Sequence, residues 1–178
     1  MKAVVGLAIF LCLWLSSCNS EPSLQKYFVE NTENKNFIAL DISSSILNVD
    51  KTKLSLEQQQ ALQSFEKMNI LAFRTDSTDI TGYDKEIKEV KAILKDESYQ
   101  QLMKAGSGND GAAIYFVGND DEHIEEFVVL AGKKENGFAV VRVLGNDMNP
   151  THIMNMLSLL QKSQVDMEQL IPLQQLMK

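Results

Sequence analysis

The sequence predicts an α+β fold: a mixed, largely antiparallel sheet of five strands with helices packed mainly on one face, as a two-layer sandwich. Two observations lead to this prediction. In the first half of the chain, segments with helical periodicity alternate with short apolar runs typical of buried strands. In the second half, three strand-like runs precede a final helical segment. We therefore expect the order α-β-α-β-α-β-β-β-α in one domain over residues 24–163, followed by a helix-prone tail over residues 164–178.

The domain begins with a short amphipathic helix. Leu24, Tyr27 and Phe28 are spaced i, i+3, i+4, which places them on one helical face. We expect this face to pack in the core, with a membrane-facing aromatic patch as the alternative. Residues 37–42 (FIALDI) then predict a strand, whereas residues 46–49 are ambiguous.

Two helices and a strand come next. Ser55 and Gln58 have the spacing of a capping box, in which each side chain accepts a backbone amide of the other residue. The inward positions of the helix that begins there are Ala61, Leu62, Phe65 and Met68. Residues 70–73 (ILAF) predict a buried strand, and Asp84 is placed to cap the following helix. The apolar stripe of that helix consists of Ile87, Val90, Ile93 and Leu94.

The second half of the domain predicts three more strands. Residues 98–105 add one or two helical turns before the first of these strands, the apolar run at 112–117. Residues 124–131 and 138–145 flank an Asn-Gly pair, which favours the positive φ angles of a tight turn, so we predict a hairpin. Asn149, followed by a proline, begins the last helix.

The N-terminus has the layout of a bacterial lipoprotein signal peptide. Lys2 provides a positive charge, and residues 3–15 are apolar without interruption. At about 1.5 Å per residue this run spans roughly 20 Å, which is short for a hydrocarbon core of about 30 Å but suits a signal peptide. Residues 15–18 (LSSC) resemble a lipobox, which implies removal of residues 1–17 and acylation of Cys18. An ordinary secretory signal is the alternative.

Lipidation would determine where the protein is found. Each buried methylene contributes about 0.8 kcal/mol, so two or three palmitate-like chains hold a protein at a membrane. Residue 19 is Asn and not the Asp that retains lipoproteins in the inner membrane of enteric bacteria, which favours the outer membrane with the domain in the periplasm. Residues 18–23 then form a short tether. Leaflet and oligomeric state stay open.

The composition excludes several functions. The chain has 17 basic and 24 acidic residues and a net charge of −7, so nucleic acid is not an expected partner. Cysteine catalysis and cysteine-bound metals are excluded, because Cys12 leaves with the signal peptide and Cys18 is acylated. Two histidines and the lack of a G-x-S-x-G motif argue against a hydrolytic triad. We expect a non-enzymatic protein without a cofactor.

Residues 106–111 (GSGNDG) match the letters of the dinucleotide-binding fingerprint G-x-G-x-x-G. That fingerprint needs a strand before it and a helix after it, so that the phosphates meet a helix N-terminus. Here a predicted helix precedes and a strand follows. We therefore expect a helix C-cap and a turn, and no bound nucleotide.

Two further segments carry polar residues of interest. Residues 120–126 (DDEHIEE) place carboxylates near His123, which suits a hard cation, but the EF-hand spacing is absent and a solvated turn is the simpler interpretation. We leave the cation question open and expect His152 to be solvated. Residues 76–78 (DST) resemble the O-glycosylation sequon of some envelope bacteria, which makes Ser77 a candidate modification site, with a chance match as the alternative.

Three segments together resemble a known family. They are the lipobox followed by LQKYFVE, the segment FIALDISSSIL, and the stretch from YQQLMKAG through IYFVGNDDEHIEEFVVLAGKKENGFAVVRVLG. They are similar to the DUF4252 family of predicted bacterial lipoproteins, which have no assigned activity. The resemblance implies the fold and the envelope location and brings no functional residues.

These observations predict a membrane-anchored envelope lipoprotein with a non-enzymatic protein-interaction role. Its partner is an unidentified envelope protein, and envelope-stress signalling or assembly is the expected context. The alternative is a carrier lipoprotein that binds a small molecule or peptide between the sheet and the helices.

Overall fold

Six strands and four helices follow one another in the part of the chain that the computed structural model describes, residues 22–44, 51–75, 80–108 and 110–162. The elements are α1 (Leu24–Asn31), β1 (Phe37–Ser43), a 3-10 turn (Lys51–Lys53), α2 (Leu56–Ser64), β2 (Phe65–Arg74), α3 (Ile80–Ile93), β3 (Gln100–Ser107), β4 (Asp110–Gly118), β5 (Ile124–Lys133), β6 (Gly137–Met148) and α4 (Pro150–Lys162). The predicted signal peptide, the ambiguous residues 46–49 and the tail at 164–178 lie outside these ranges. Within them, no helix is both long and apolar enough to cross a membrane.

The strands form one sheet in the spatial order β1-β2-β6-β5-β4-β3. Every neighbouring pair is antiparallel, so the α+β class is confirmed, whereas the expectation of a mixed, five-stranded sheet was wrong. Short turns join β3 to β4, β4 to β5 and β5 to β6, and each turn reverses the direction of the chain. The four strands of this meander therefore alternate in direction.

The additional strand is β3, which occupies most of the segment predicted as helical turns at residues 98–105. Its Gln, Leu, Met, Lys and Ala residues all have good helix propensity, so local preference is misleading here. β3 instead pairs with β4 along its length, for example Lys104 with Ala113. The pairing satisfies backbone hydrogen-bonding groups on one edge of β4 and overrides the local preference.

The helices cover both faces of the sheet. On the first face, α1 and α3 pack on alternate strand residues such as Leu71 of β2 and Val128 of β5. On the second face, α2 and α4 pack on residues of the other parity, such as Ile70 and Phe127. The prediction of a two-layer sandwich with helices mainly on one face was therefore wrong. Because the central strands are apolar on both sides, each face needs a cover that excludes water.

α1 packs into the first face as expected. Leu24, Tyr27 and Phe28 are buried, so the alternative of a membrane-facing patch was wrong. Tyr27 donates its hydroxyl proton to a carboxylate oxygen of Glu86 at 2.8 Å, which ties α1 to α3. Burial raises the pKa of Tyr27, and the hydrogen bond to Glu86 raises it further. Tyr27 therefore stays neutral and acts as a hydrogen-bond donor.

The predicted caps of α2 and α4 are confirmed. The Ser55 hydroxyl accepts the Gln58 amide at 3.2 Å, and the Gln58 side-chain oxygen accepts the Ser55 amide at 3.0 Å. Asn149 accepts the His152 amide at 2.8 Å at the start of α4. Both caps satisfy amides that have no partner within the helix.

Two predicted helix ends were wrong. α3 begins one turn before Asp84, whose carboxylate accepts the Lys134 ammonium at 3.1 Å instead of capping the helix. α2 ends at Ser64, and Phe65 and Met68, which were assigned to its inner side, belong to β2. The spacing of these two residues fits a strand as well as a helix, and pairing with β6 selects the strand.

Candidate functional site

The sheet ends at β3, and no element in the described ranges pairs with its outer side. We call this outer side the free edge. All eight residues of β3 are exposed, among them Leu102 at 40% and Met103 at 54% of their full surface. At the opposite end of the sheet, β1 buries Phe37 and Ile42. The free edge is therefore the more accessible of the two outer strands.

A β-bulge shapes the free edge. The register between β3 and β4 shifts between Gln101 and Met103, so Leu102 has no directly opposite residue. After the bulge, Lys104 pairs with Ala113 and lies toward the first face, beneath α3. Such a bulge increases local twist and interrupts a flat edge.

The glycines of residues 106–111 allow the two strands of the β3–β4 hairpin to approach. Gly106 and Gly111 have φ angles of 93° and 145°. A Cβ atom on Gly106 would lie 2.5 Å from the Cα atom of Gly111, closer than side chains tolerate. The expectation of a helix before this motif was wrong, because β3 precedes it and β4 follows it. With a strand on each side, the hairpin lacks the helix that the dinucleotide fingerprint requires.

A cleft lies on the first face between α3 and the β3–β4 hairpin. Its volume is about 380 Å³, which falls within the roughly 300–1,000 Å³ of small-molecule pockets. Its apolar lining comes from Ile87 of α3, Leu94 directly after α3, Tyr115 of β4 and Leu130 of β5. The cleft opens beside the free edge, so two accessible features of the molecule are neighbours.

Three lysines line this cleft, which we therefore call the basic cleft: Lys91 from α3, Lys95 from the turn after α3 and Lys104 from β3. The Lys91 ammonium donates to the carbonyl oxygen of Gly108 at 3.0 Å. Burial lowers the pKa of Lys91, and the nearby charge of Lys104 lowers it further. Among the lining residues only Asp110 carries a negative charge.

Tyr99 connects the basic cleft to a buried ion pair. It lines the cleft, and burial raises its pKa, with a further increase from the negative charge of Glu126. Glu126 accepts two hydrogen bonds from Arg142, at 2.6 and 3.0 Å. The Arg142 guanidinium lies 5.4 Å from the centre of the Phe28 ring. The contact between Phe28 and Arg142 packs α1 against β6 of the sheet.

The carboxylates of the acidic segment at residues 120–126 do not converge on one point. Asp120 bonds to His123 at 2.8 Å, and both side chains are exposed. That hydrogen bond raises the pKa of His123 and lowers the pKa of Asp120. Glu126 is hydrogen-bonded to Arg142, and Glu125 is exposed. Within the described ranges, no three His, Cys, Asp or Glu residues converge as metal ligands would.

His152 is half-buried rather than solvated as expected, and its Nδ1 atom lies 3.3 Å from the Ser64 hydroxyl. The Ser64 hydroxyl donates its proton to the carbonyl oxygen of Ala61 at 3.1 Å. We interpret this contact as packing between α2 and α4.

The structure describes some of the site residues that the sequence predicts and leaves others outside its described ranges. Cys18 and Ser77 lie outside the described ranges and stay predictions. The sequence analysis missed the basic cleft, although Lys91 and Lys95 are spaced i, i+4 and so share one side of a helix. Lys104 was not recognisable as their neighbour, because its segment was assigned to a helix.

Fold and cleft together define a small α+β domain with a six-stranded antiparallel sheet, helices on both faces and an open cleft at one edge. Residues 27–156 match the profile of the family described as "Domain of unknown function (DUF4252)", so the chain belongs to this family. The match begins in α1, ends in α4 and includes all six strands. No curated protein and no solved structure matches the chain.

Proposed function

We propose that the protein is a cell-envelope lipoprotein that is anchored to the membrane through Cys18. Its domain lies in the periplasm and has a non-enzymatic role in binding another protein. The proposed anchor is supported by the lipobox-like residues 15–18 and by the short tether that follows them. Five residues between Cys18 and α1 extend at most about 17 Å. A partner would therefore be bound close to the membrane, as in an envelope-stress or assembly system.

The free edge of β3 carries this proposal. An extended segment of a partner adds to β3 as a further strand, and its backbone bonds to the outward amide and carbonyl groups. Leu102 and Met103 supply exposed apolar contacts for such a segment. An open edge is an aggregation hazard unless it is guarded or used, so an exposed strand of eight residues needs an explanation.

The charge of β3 favours an acidic partner over a second copy of this chain. Lys104 is the only ionisable residue of the strand. Antiparallel pairing of two copies of β3 near its middle would bring two Lys104 side chains together, and like charges across strands are destabilising. A segment with Asp or Glu opposite Lys104 would instead form a favourable pair.

Site-specific photocrosslinking in native membranes tests the docking site. A photoreactive residue at Leu102 or Met103 is expected to give an adduct of one reproducible mass. The matched controls are Val29 on α1 and Leu56 on α2, both exposed at 71% and located on helices and not on β3. Equal adducts from all four positions, or none from β3, would contradict docking at the free edge.

A carrier role is the second candidate, and the basic cleft is the observation that favours it. A cavity of about 380 Å³ is large enough for a small ligand. Its mouth adjoins the free edge, so one bound peptide could place a side chain in the cleft. Lys104 belongs to both features, whereas Lys91 lines the cleft and lies outside β3, so Lys91→Gln separates ligand binding from strand addition.

A further inference from the structure

We infer that the basic cleft binds a small organic anion, with a carboxylate or phosphate head between Lys91 and Lys104 and a short apolar body on the floor formed by Ile87, Leu94 and Leu130. The inference rests on the carrier role and names the ligand class for it. It does not depend on docking at the free edge.

The distribution of charge is the first argument. The chain has a net charge of −7. The lining of the basic cleft has the opposite balance of charge, with three lysines and a single carboxylate. A local excess of positive charge in an acidic protein is a feature that an anionic ligand would neutralise.

The proximity of two ammonium groups is the second argument. Lys91 of α3 and Lys104 of β3 line the same cleft, and the charge of Lys104 lowers the pKa of Lys91. Lys91 is also half-buried, so its charge is less well solvated than that of a surface lysine. An anion between the two ammonium groups would remove their repulsion and form charge-assisted hydrogen bonds with both.

The shape of the cleft sets the size of the ligand. Its volume of about 380 Å³ equals that of roughly a dozen water molecules at about 30 Å³ each. An anion with about eight carbon atoms fits this space. The floor is apolar, so a hydrocarbon body gains from burial while the head stays at the lysines near the mouth. A bare inorganic anion would leave the floor solvated.

Octanoate is a suitable probe, with octanamide as its neutral analogue and octyl phosphate as the second anionic head. We would titrate each into the mature chain from residue 18, carrying Cys18→Ser so that no detergent is needed. Octanoate or octyl phosphate is expected to shift backbone amide resonances of α3 and β3 in NMR spectra. Octanamide is expected to bind at least tenfold more weakly, because it lacks the charge.

Three lysine variants locate the binding site. Lys91→Gln and Lys104→Gln are each expected to weaken binding of the anion about tenfold, as expected for loss of a hydrogen bond to a charged group. Lys88→Gln is the matched control: it removes the same charge from an exposed position on α3 that does not line the cleft. Lys104 lies on an exposed strand, so its variant should keep the fold, which amide spectra would verify.

The titration of Lys91 provides a readout that a purely structural lysine would not give. The groups that face it are Lys95, Tyr99, Lys104, Asp110 and Tyr115. A bound anion is expected to raise the pKa of Lys91, measured from its side-chain carbon resonances. A pKa that does not change at saturating probe would overturn the placement of the head.

The outcomes separate this inference from the proposals on which it rests. Preference for octyl phosphate over octanoate, or the reverse, would identify the head within the inferred class. Equal binding of octanamide and octanoate, unaffected by the lysine variants, would overturn the inference and leave a carrier of neutral ligands. Binding of none of the three probes would overturn the inference as well, whereas the photocrosslinking at β3 tests the docking role by itself.

Discussion

Glu126 and Arg142 form an ion pair whose side chains are only 13% and 7% exposed. A buried ion pair can raise or lower the stability of the fold, depending on its surroundings. Removal of one partner, however, leaves the other charge buried without a counter-charge. We therefore expect Glu126→Ala to lower the free energy of unfolding by about 3–5 kcal/mol. Chemical denaturation followed by circular dichroism measures this loss.

Glu125→Ala is the control for this prediction. Glu125 is the exposed neighbour of Glu126 on the same strand, so its replacement should change stability by less than about 0.5 kcal/mol. A loss for Glu126→Ala below about 1 kcal/mol, typical of exposed pairs, would indicate that water reaches and screens the pair.

The pair of His123 and Asp120 predicts a pH dependence at the surface. Their hydrogen bond raises the pKa of His123 above its ordinary value of 6.5. NMR titration of the imidazole should give a midpoint above 6.5, and Asp120→Asn should return it toward 6.5. A midpoint that is the same in both proteins would show that the two side chains do not interact in solution.

The opposite pKa shifts of His123 and Asp120 make the stability of the fold depend on pH. Because the pKa of His123 is raised in the folded state, its contribution to the stability of the fold is complete below about pH 6.5. This contribution is lost as the pH rises through the folded-state pKa. Because the pKa of Asp120 is lowered in the folded state, its contribution to the stability of the fold is present above about pH 3.8. This contribution is lost as the pH falls through the folded-state pKa. The pair therefore stabilises the fold most between these two values.

At the scale of elements, Gly137 allows the β5–β6 hairpin to lie against β2. Its φ angle is 116°, and a Cβ atom there would lie 2.0 Å from the carbonyl oxygen of Phe73. Gly137→Ala should therefore destabilise the protein by roughly 2–4 kcal/mol, because backbone strain and a steric clash act together. The midpoint of thermal or urea unfolding reports this change.

Gly108→Ala provides the contrast in the neighbouring hairpin. Gly108 also has a positive φ, of 61°, but a Cβ atom there meets nothing within 4 Å. Its replacement should cost only about 1 kcal/mol, the penalty of a left-handed conformation. Equal losses at the two glycines would mean that β2 moves away from the hairpin at little cost.

The elements that sequence predicts well are those with local chemistry. The capping box of Ser55 and Gln58, the cap at Asn149 and the Asn-Gly turn before β6 depend on residues that are close in sequence. β3 depends instead on its pairing with β4, which no local pattern reports. The distribution of helices over two faces likewise depends on the path of the chain between elements.

The basic cleft illustrates the same limit for a site. The i, i+4 spacing predicts that Lys91 and Lys95 lie on the same side of a helix, and in the structure Lys95 lies in the turn after α3. The approach of Lys104 requires the β3–β4 hairpin and the placement of α3 over it, both of which are tertiary features. The Glu126–Arg142 pair is hidden for the same reason, since its two residues come from adjacent strands.

At the scale of the whole molecule, the proposed anchor determines which partners the free edge and the basic cleft can meet. Acyl chains at Cys18 would keep the domain at the membrane, since two or three chains bind essentially permanently. We expect the Cys18→Ala protein to move from the detergent phase to the aqueous phase in Triton X-114 partitioning. It should also lose incorporation of labelled palmitate.

The chain offers a matched control in Cys12, which lies within the predicted signal peptide. Cys12→Ala changes the same residue type but should leave both partitioning and labelling as in the native protein. If Cys18→Ala and the native protein partition alike, Cys18 does not carry the anchor, and the membrane location loses its basis.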